Sequence, residues 1–487
     1  LLSILLAAVV NFPLVWILLG FSSLIIFVYK VSISFQREST EGTERKFPLI
    51  SFAVVIISLI FFMSGQFVGG AISERLQISN AEVGPSLAAT LTVGKGVVAK
   101  DPVFGVGPNR FAEAWALYKP SSVNVSGFWN VPFSSGSGLL PTMIITTGIL
   151  GALAWLAFIF LFLFFGIKSV FSSIKNRVNW EMMAFFVLSL YLFVSLFFYS
   201  AGPVLFFLAF AFTGVFIGLA TANSGSEISI SFLNDHRKSF FSIMALIVLV
   251  IFSVAASFKY IERFVSVAYF GRAFTAVSAK NFTEAENTIG RALSLNTNDL
   301  YLRTYTQIYI AKFASLATKG SSLTEEEKAE LETSFQQALS GAQTAANYDP
   351  QNYLNFELLG SVYQTAGSLG NKEAYPNAVL SYEKASQLNP QNPGLKLAIA
   401  GSLFAQGKTA EAKTFALEAL SLKEDYIDAL IMLSQISKSQ GSNTEAISYA
   451  ERALSYDPSN KNISQYLNSL KNSPSASTPS PVENSAN

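Results

Sequence analysis

The sequence predicts an all-α chain in which a bundle of membrane-crossing helices is followed by a solenoid of paired helices. Three observations carry this. Residues 1–258 hold repeated apolar runs with few charges, while residues 259–470 have the mixed composition of a water-soluble fold. The apolar runs approach the length of about 20 residues that a bilayer crossing requires. Small residues in the second half recur in pairs at a fixed spacing. The whole-chain averages, 51% hydrophobic and 13% charged over 487 residues, blend these two unlike parts.

The apolar runs are 1–10, 13–29, 47–63, 139–166, 180–199, 203–220 and 240–258. Asn11, Phe12 and Pro13 separate the first two, and a turn from Tyr199 to Pro203 joins two others. The run 1–10 reads as the tail of a helix whose beginning is missing, so the chain is expected to be part of a longer protein. No basic stretch precedes it, as a signal peptide would need. Lys30, Arg37, Arg45 and Lys46 fall in one loop, Lys168, Lys175 and Arg177 in another, and Arg237 and Lys238 in a third. Alternating the spans puts these basic loops on one side, which the positive-inside rule makes cytoplasmic. The loop 64–138 and residues 259–487 are then extracytoplasmic.

In residues 259–470 the small-residue pairs are Ala285/Ala292, Ala338/Ala345, Ala378/Ala385, Ala412/Ala419 and Ala446/Ala453. A turn position follows each pair: Thr297, Pro350, Pro390, Glu424 and Pro458. The steps from Ala378 to Ala412 to Ala446 match the tetratricopeptide period of about 34 residues, and about five repeats fit the region. Insertions near 319–330 and 367–373 account for the longer early steps. The region resembles tetratricopeptide repeats, most clearly over 346–470. That resemblance implies a superhelix with a concave face for a protein or peptide partner. Residues 471–487 are Pro, Ser and Asn-rich without core-forming side chains and are expected to be disordered.

A net charge of +1 gives no basis for a nucleic-acid partner. The chain has no Cys and a single His, His236. Thiolate sites, disulfides and His-built metal sites are therefore not expected. No charge lies within 139–166 or 203–220, which weakens an ion-transporter reading.

The loop 64–138 is roughly 70 residues long, and loops of that length are usually functional or disordered. Phe104, Phe111, Trp115, Tyr118, Phe128, Trp129 and Phe133 give this one material for a small core. Gly105, Gly107 and Pro108 mark a turn. Arg110 follows it, and a guanidinium suits bidentate contact with phosphate; the bland alternative is a surface Arg at the start of a helix. Lys95 and Lys100 lie on a helix predicted over 82–100. They offer point charges to an anion, or snorkel to headgroups. Asp101 before Pro102 reads as that helix's stop. Glu113 is the nearest other carboxylate, able to accept a proton or simply to face water. Trp115, Tyr118, Phe128 and Trp129 suit stacking on sugars or an interfacial belt. The run from Ser134 to Gly138 offers backbone N–H groups to a phosphate, or a flexible lead into the next helix. Asn124, Val125 and Ser126 form a glycosylation sequon, which carries no weight in a chain of bacterial appearance.

The order DPVFGVGPNRF, then Tyr118, Lys119 and Pro120, then TTGILGALAWLAFIFLF resembles the C-terminal half of the O-antigen ligase/polymerase membrane glycosyltransferases. It is similar in particular to members with tetratricopeptide repeats after the last span. The resemblance covers about 10–260 and is specific over 84–155. It implies transfer of a glycan from an undecaprenyl-diphosphate carrier to an acceptor, without metal, nucleotide or other cofactor. The catalytic set would be Arg110, Glu113 and Ser137. The substrate-binding set would be Lys95, Lys100, Tyr118, Lys119, Trp129 and Asn130. Membrane lipids would be further partners. The family's loop His would fall near Ser137, and no His stands in this loop. Another base, a different subfamily mechanism, or lost activity would each account for that. The alternative is an inactive, membrane-anchored scaffold whose repeats bind protein.

Overall fold

Helices make up all the regular secondary structure among the described residues. The structure is a computed structural model that describes residues 2–10, 12–41, 47–64, 75, 83–176, 180–199, 202–224 and 236–472. It divides into two compact units. One comprises Leu1–Trp115 and Pro132–Ile230, and the other Ala116–Val131 and Ser231–Asn487.

The first unit contains α1 (Leu2–Val10), α2 (Pro13–Glu41), α3 (Leu49–Ser64), α4 (Leu87–Lys100), α6 (Leu139–Asn176), α7 (Trp180–Phe198) and α8 (Pro203–Ser224). The helix α5 (Phe111–Tyr118) runs across the division between units. Stretches within α2, α6, α7 and α8, and within α9 (His236–Ser278) of the second unit, are long and apolar enough to cross a membrane. The predicted span at 47–63 is a shorter helix of 16 residues. It lies against α2, with Trp16 stacked on Phe61 at 4.3 Å and Gly20 facing the buried Ser58. Helices α2 and α7 run antiparallel: Phe12 meets Tyr199 at one end, and Lys30 lies 4.6 Å over the Trp180 ring at the other. Phe162, Phe186, Phe193 and Phe216 from α6, α7 and α8 form an aromatic core. Buried hydroxyls on these helices bond back one turn, as Ser189 does to the Phe185 carbonyl and Thr213 to that of Ala209, which satisfies both donors within the apolar interior.

In the second unit the C-terminal part of α9 pairs with α10 (Phe282–Leu295). The later pairs are α11 (Asp299–Ala317) with α12 (Glu325–Tyr348), α13 (Tyr353–Ser368) with α14 (Tyr375–Leu388), α15 (Pro393–Ala405) with α16 (Thr409–Leu422), and α17 (Ile427–Ser439) with α18 (Asn443–Tyr456). A single helix, α19 (Lys461–Lys471), follows and buries Ile463, Leu467 and Leu470. Every alanine of the small-residue pairs is 1% exposed or less, and each pair lies on the second helix of its hairpin. A methyl side chain there lets neighbouring helices approach closely.

The turn positions lie just beyond the ends of those second helices. Asparagines that follow them cap the next helix: Asn298, Asn352, Asn392 and Asn460 each accept a backbone N–H through the side-chain oxygen. Thr324 and Glu327 close α12 with a reciprocal capping box. The boundary predicted at 258 falls inside α9, which continues unbroken to Ser278. Hydropathy changes there while the backbone stays helical. Helix α19 ends at Lys471, and residues 473–487 of the expected disordered tail lie outside the described residues.

Candidate functional site

Gly148 interrupts α6 with φ 66° and ψ −167°, a conformation essentially restricted to glycine. The interruption frees backbone groups that an unbroken helix would pair internally. The loop 102–107 takes them up reciprocally. The N–H groups of Val106 and Gly107 donate to the carbonyls of Ile145 and Thr146, both at 3.0 Å. Those of Ile149 and Leu150 donate to Pro102 and Val103, at 2.9 and 3.3 Å. Backbone groups removed from water must be satisfied in some such way. The approach is close on both sides: a Cβ on Gly105 would stand 2.4 Å from the Ile145 oxygen, and one on Gly148 2.2 Å from that of Val103.

This clamp positions Arg110. Its N–H donates to the Gly107 carbonyl, and its Nε lies 3.2 Å from Glu113 Oε1, one turn into α5. Phe111 and Trp115 are buried, with Phe133 edge-on to Trp115 at 5.2 Å. Phe104 and Phe128 are exposed, so the small core predicted for the loop forms from fewer aromatic residues than expected.

The preceding helix starts at Leu87, capped by Ser86, rather than at 82, and Glu82 lies outside the described residues. Asp101 closes it, as read from the sequence. Lys95 lines a cavity of about 500 Å³ between α4 and α6, with Leu91, Gly94, Pro141 and Ile145. Ser137 lines a different one of about 390 Å³, with Pro85, Ser134 and Tyr199. Arg110 is on neither wall. Lys100 is exposed at the end of α4. The amides that the Ser/Gly run was expected to offer a phosphate are in part taken: Gly136 N–H donates to Thr142 Oγ1 and Ser137 N–H to Thr90 Oγ1. Among the described residues no group of three or more His, Cys, Asp or Glu is arranged to hold a metal ion.

Tyr118, Lys119, Trp129 and Asn130 belong to the other unit, with the repeats. There the segment 116–131 lies against the solenoid. Asn124, in the short 3-10 turn Ser121–Val125, is 0% exposed. Its Nδ2 donates to the carbonyls of Gln391 (2.9 Å) and Leu422 (3.1 Å). Lys423 Nζ donates to the Asn124 carbonyl at 3.0 Å and also reaches Asp425. Trp129 packs on Tyr426 at 5.6 Å, and Ala116 joins the apolar cluster that includes Leu395 and Ile399. Asn130 is exposed and Tyr118 half-buried. None of Asn124, Gln391, Lys423 or Tyr426 was singled out from the sequence as a binding residue.

Lys119 is buried, and its ammonium donates to the Trp129 carbonyl at 2.7 Å, drawing the segment into a closed loop. Burial pulls its pKa down to about 8. The unfolded chain therefore holds this proton more tightly, and the penalty for burying the charge is lifted as pH rises from about 8 toward the ordinary lysine value. Between pH 7.5 and 9.5 wild type is expected to gain roughly 2 kcal/mol relative to Lys119→Met. Amide exchange across 116–131 in both proteins at the two pH values measures this; a difference independent of pH would refute it.

Beside this seat, Glu357 is surrounded by tyrosines. Burial raises its carboxyl above the ordinary range. Burial first, and nearby negative charge second, push Tyr353 and Tyr426 up to about 12. Tyr382 moves in the same direction and donates its hydroxyl to Gln364 Oε1 at 2.7 Å.

Paired helices, buried alanines and asparagine-capped turns give the second unit the features of a tetratricopeptide-repeat solenoid, in a chain that also has helices long and apolar enough to cross a membrane. The tetratricopeptide repeat family profile matches residues 427–460. Among characterised proteins, Superkiller complex protein 3 of Homo sapiens is 30% identical over 127 residues, 25% of this chain and 8% of that one. The formate-dependent nitrite reductase complex subunit NrfG of Escherichia coli O157:H7 is 27% identical over 135 residues, 27% of this chain and 65% of that one. The matches thus span less than two thirds of either relative. Similar solved structures include a thermophilic repeat protein of Thermus thermophilus, at 17% identity and TM-score 0.33, covering 42% of this chain and 98% of that one. MamA of Desulfovibrio magneticus matches at 13% identity and TM-score 0.32, covering 40% and 97%.

Proposed function

We propose that the protein is a membrane-anchored scaffold whose tetratricopeptide repeats bind a protein or peptide partner. The observation that carries this reading is the seat on the repeats. It holds an irregular stretch of polypeptide through backbone carbonyls, one lysine and one aromatic ring. Such contacts suit peptide in general more than they suit a small metabolite, which calls for an enclosed pocket.

The membrane is proposed to be a bacterial cytoplasmic membrane, with the loop 64–138 and residues 259–487 on its outer side. The proximity of Lys30 to Trp180 supports the topology, because it brings the basic ends of two spans together. A photoreactive residue at position 428, beside the seat, is expected to cross-link a second polypeptide in native membranes under ultraviolet light. The same group at 332, on the second helix of an earlier pair, is not. Cross-linking to lipid alone from position 428 would remove the reading.

A second reading, transfer of a lipid-diphosphate-linked glycan, is favoured by the glycine clamp and by Arg110 directly after it. It would require Arg110, Lys95 and Ser137 to meet one substrate, whereas Lys95 and Ser137 line two different cavities and Arg110 lines neither of these.

A further inference from the structure

Residues 116–131 belong in chain order to the loop between α3 and α6, yet their folded contacts are with the repeats. We propose that the turns at 389–394 and 422–427 form a peptide-binding site that the chain fills with its own segment 116–131 as a displaceable internal ligand. The partner it admits is a peptide, uncharged over the seated stretch, that bears an asparagine in a short 3-10 turn and, five residues later, an aromatic side chain. This deepens the scaffold reading and rests on it.

The chemistry of the seat selects that partner. Two carbonyl oxygens, of Gln391 and Leu422, converge on one side-chain amide. Aspartate in place of Asn124 would bring a carboxylate to two acceptors, and a hydrophobic residue would leave both carbonyls without this donor. On the other side, Lys423 reads the peptide's own carbonyl, a group every residue supplies. Tyr426 takes the ring of Trp129. The stretch 121–131 contains no charged residue. Asp425 and Asp428 stand beside the seat and disfavour an acidic peptide.

The segment is held in a manner that permits exchange. Between its two fixed points, Val125, Gly127 and Phe128 are exposed, so little apolar surface holds it down. The side-chain oxygens of Asn124 and Asn389 are buried without a hydrogen-bond partner among the described residues. The internal segment thus leaves its own buried acceptor on Asn124 unsatisfied, which makes it an imperfect ligand. Covalent attachment supplies the internal segment at a high effective concentration, so it competes well even when intrinsically weak. The repeats are thereby closed to weak ligands and open to a better-matched one.

The test uses the full chain in lipid nanodiscs and a fluorescent synthetic peptide with the sequence of residues 116–131. Binding is followed by anisotropy. Wild type is expected to bind it at least about tenfold more weakly than a release variant carrying Asn124→Ala and Trp129→Ala. Adding Lys423→Ala and Tyr426→Ala to the release variant should abolish the gain. Equal affinity in wild type and release variant, or binding by neither, overturns the proposal. A second measurement needs no variant. Saturating peptide should speed hydrogen exchange of the wild-type amides at 121–131, and unchanged exchange at saturation overturns displacement. If position 428 cross-links a partner while the peptide fails, the internal-ligand proposal falls and the scaffold reading stands. If both fail, both fall.

Discussion

Gly148→Val is expected to leave almost no correctly folded protein. Valine would have to adopt φ 66° and ψ −167°, where a β-branched residue is strained by about 1–3 kcal/mol. Its Cβ would also stand 2.2 Å from the Val103 oxygen and 2.7 Å from the Gly105 nitrogen, both backbone atoms that cannot swing aside. Moving the loop away breaks the reciprocal bonds of 102–107 with α6. Each lost bond leaves a polar group unpaired at a cost of about 1–3 kcal/mol. Together these approach the whole stability of a typical domain, about 5–15 kcal/mol. Folded yield after mild detergent extraction, read by size-exclusion profile, checks the expectation. Gly214→Val serves as control, since a Cβ at Gly214 has open space around it. A Gly148→Val profile like that of wild type would show that the clamp is dispensable.

Ala385→Phe carries the second large effect. Ala385 is 0% exposed in α14, within the cluster that holds Tyr353, Tyr382 and Leu395. A close-packed interior admits added volume only by shifting backbone or forcing rotamers, typically at about 1–3 kcal/mol and sometimes more. Each repeat contacts only its neighbours, so the loss should stay local. Hydrogen exchange is expected to rise in α13–α16 and to change little in α10 and α11. Lys384→Ala, at an exposed neighbour on the same helix, should stay within about 0.5 kcal/mol of wild type. Uniform loss of protection along the whole solenoid would contradict the repeat description.

These two sites mark how far the sequence can be read. The alanine pairs were legible because helix approach restricts residue size at fixed positions, which leaves a period in the sequence. The turn prolines were legible for a similar local reason, since Pro350, Pro390 and Pro458 end one helix just before Asn352, Asn392 and Asn460 begin the next. The glycines at 105, 107 and 148 were visible as glycines. Their interlock was not, because it joins backbone atoms of two distant stretches. The seat of Asn124 was hidden for the same reason. Its acceptors are the carbonyls of Gln391 and Leu422, groups that every residue carries and that leave no trace in residue identity. Of the residues grouped as one site by the resemblance, Arg110, Glu113, Ser137, Lys95 and Lys100 belong to one compact unit and Tyr118, Lys119, Trp129 and Asn130 to the other.

The most direct test of a binding scaffold against a transferase is glycan transfer in native membranes, comparing wild type, Arg110→Ala and a membrane lacking the protein. The readout is glycan moved from the endogenous lipid-diphosphate carrier to acceptor at matched protein levels. The scaffold account predicts that all three samples are the same. Transfer that depends on wild-type protein and is lost in Arg110→Ala would contradict it.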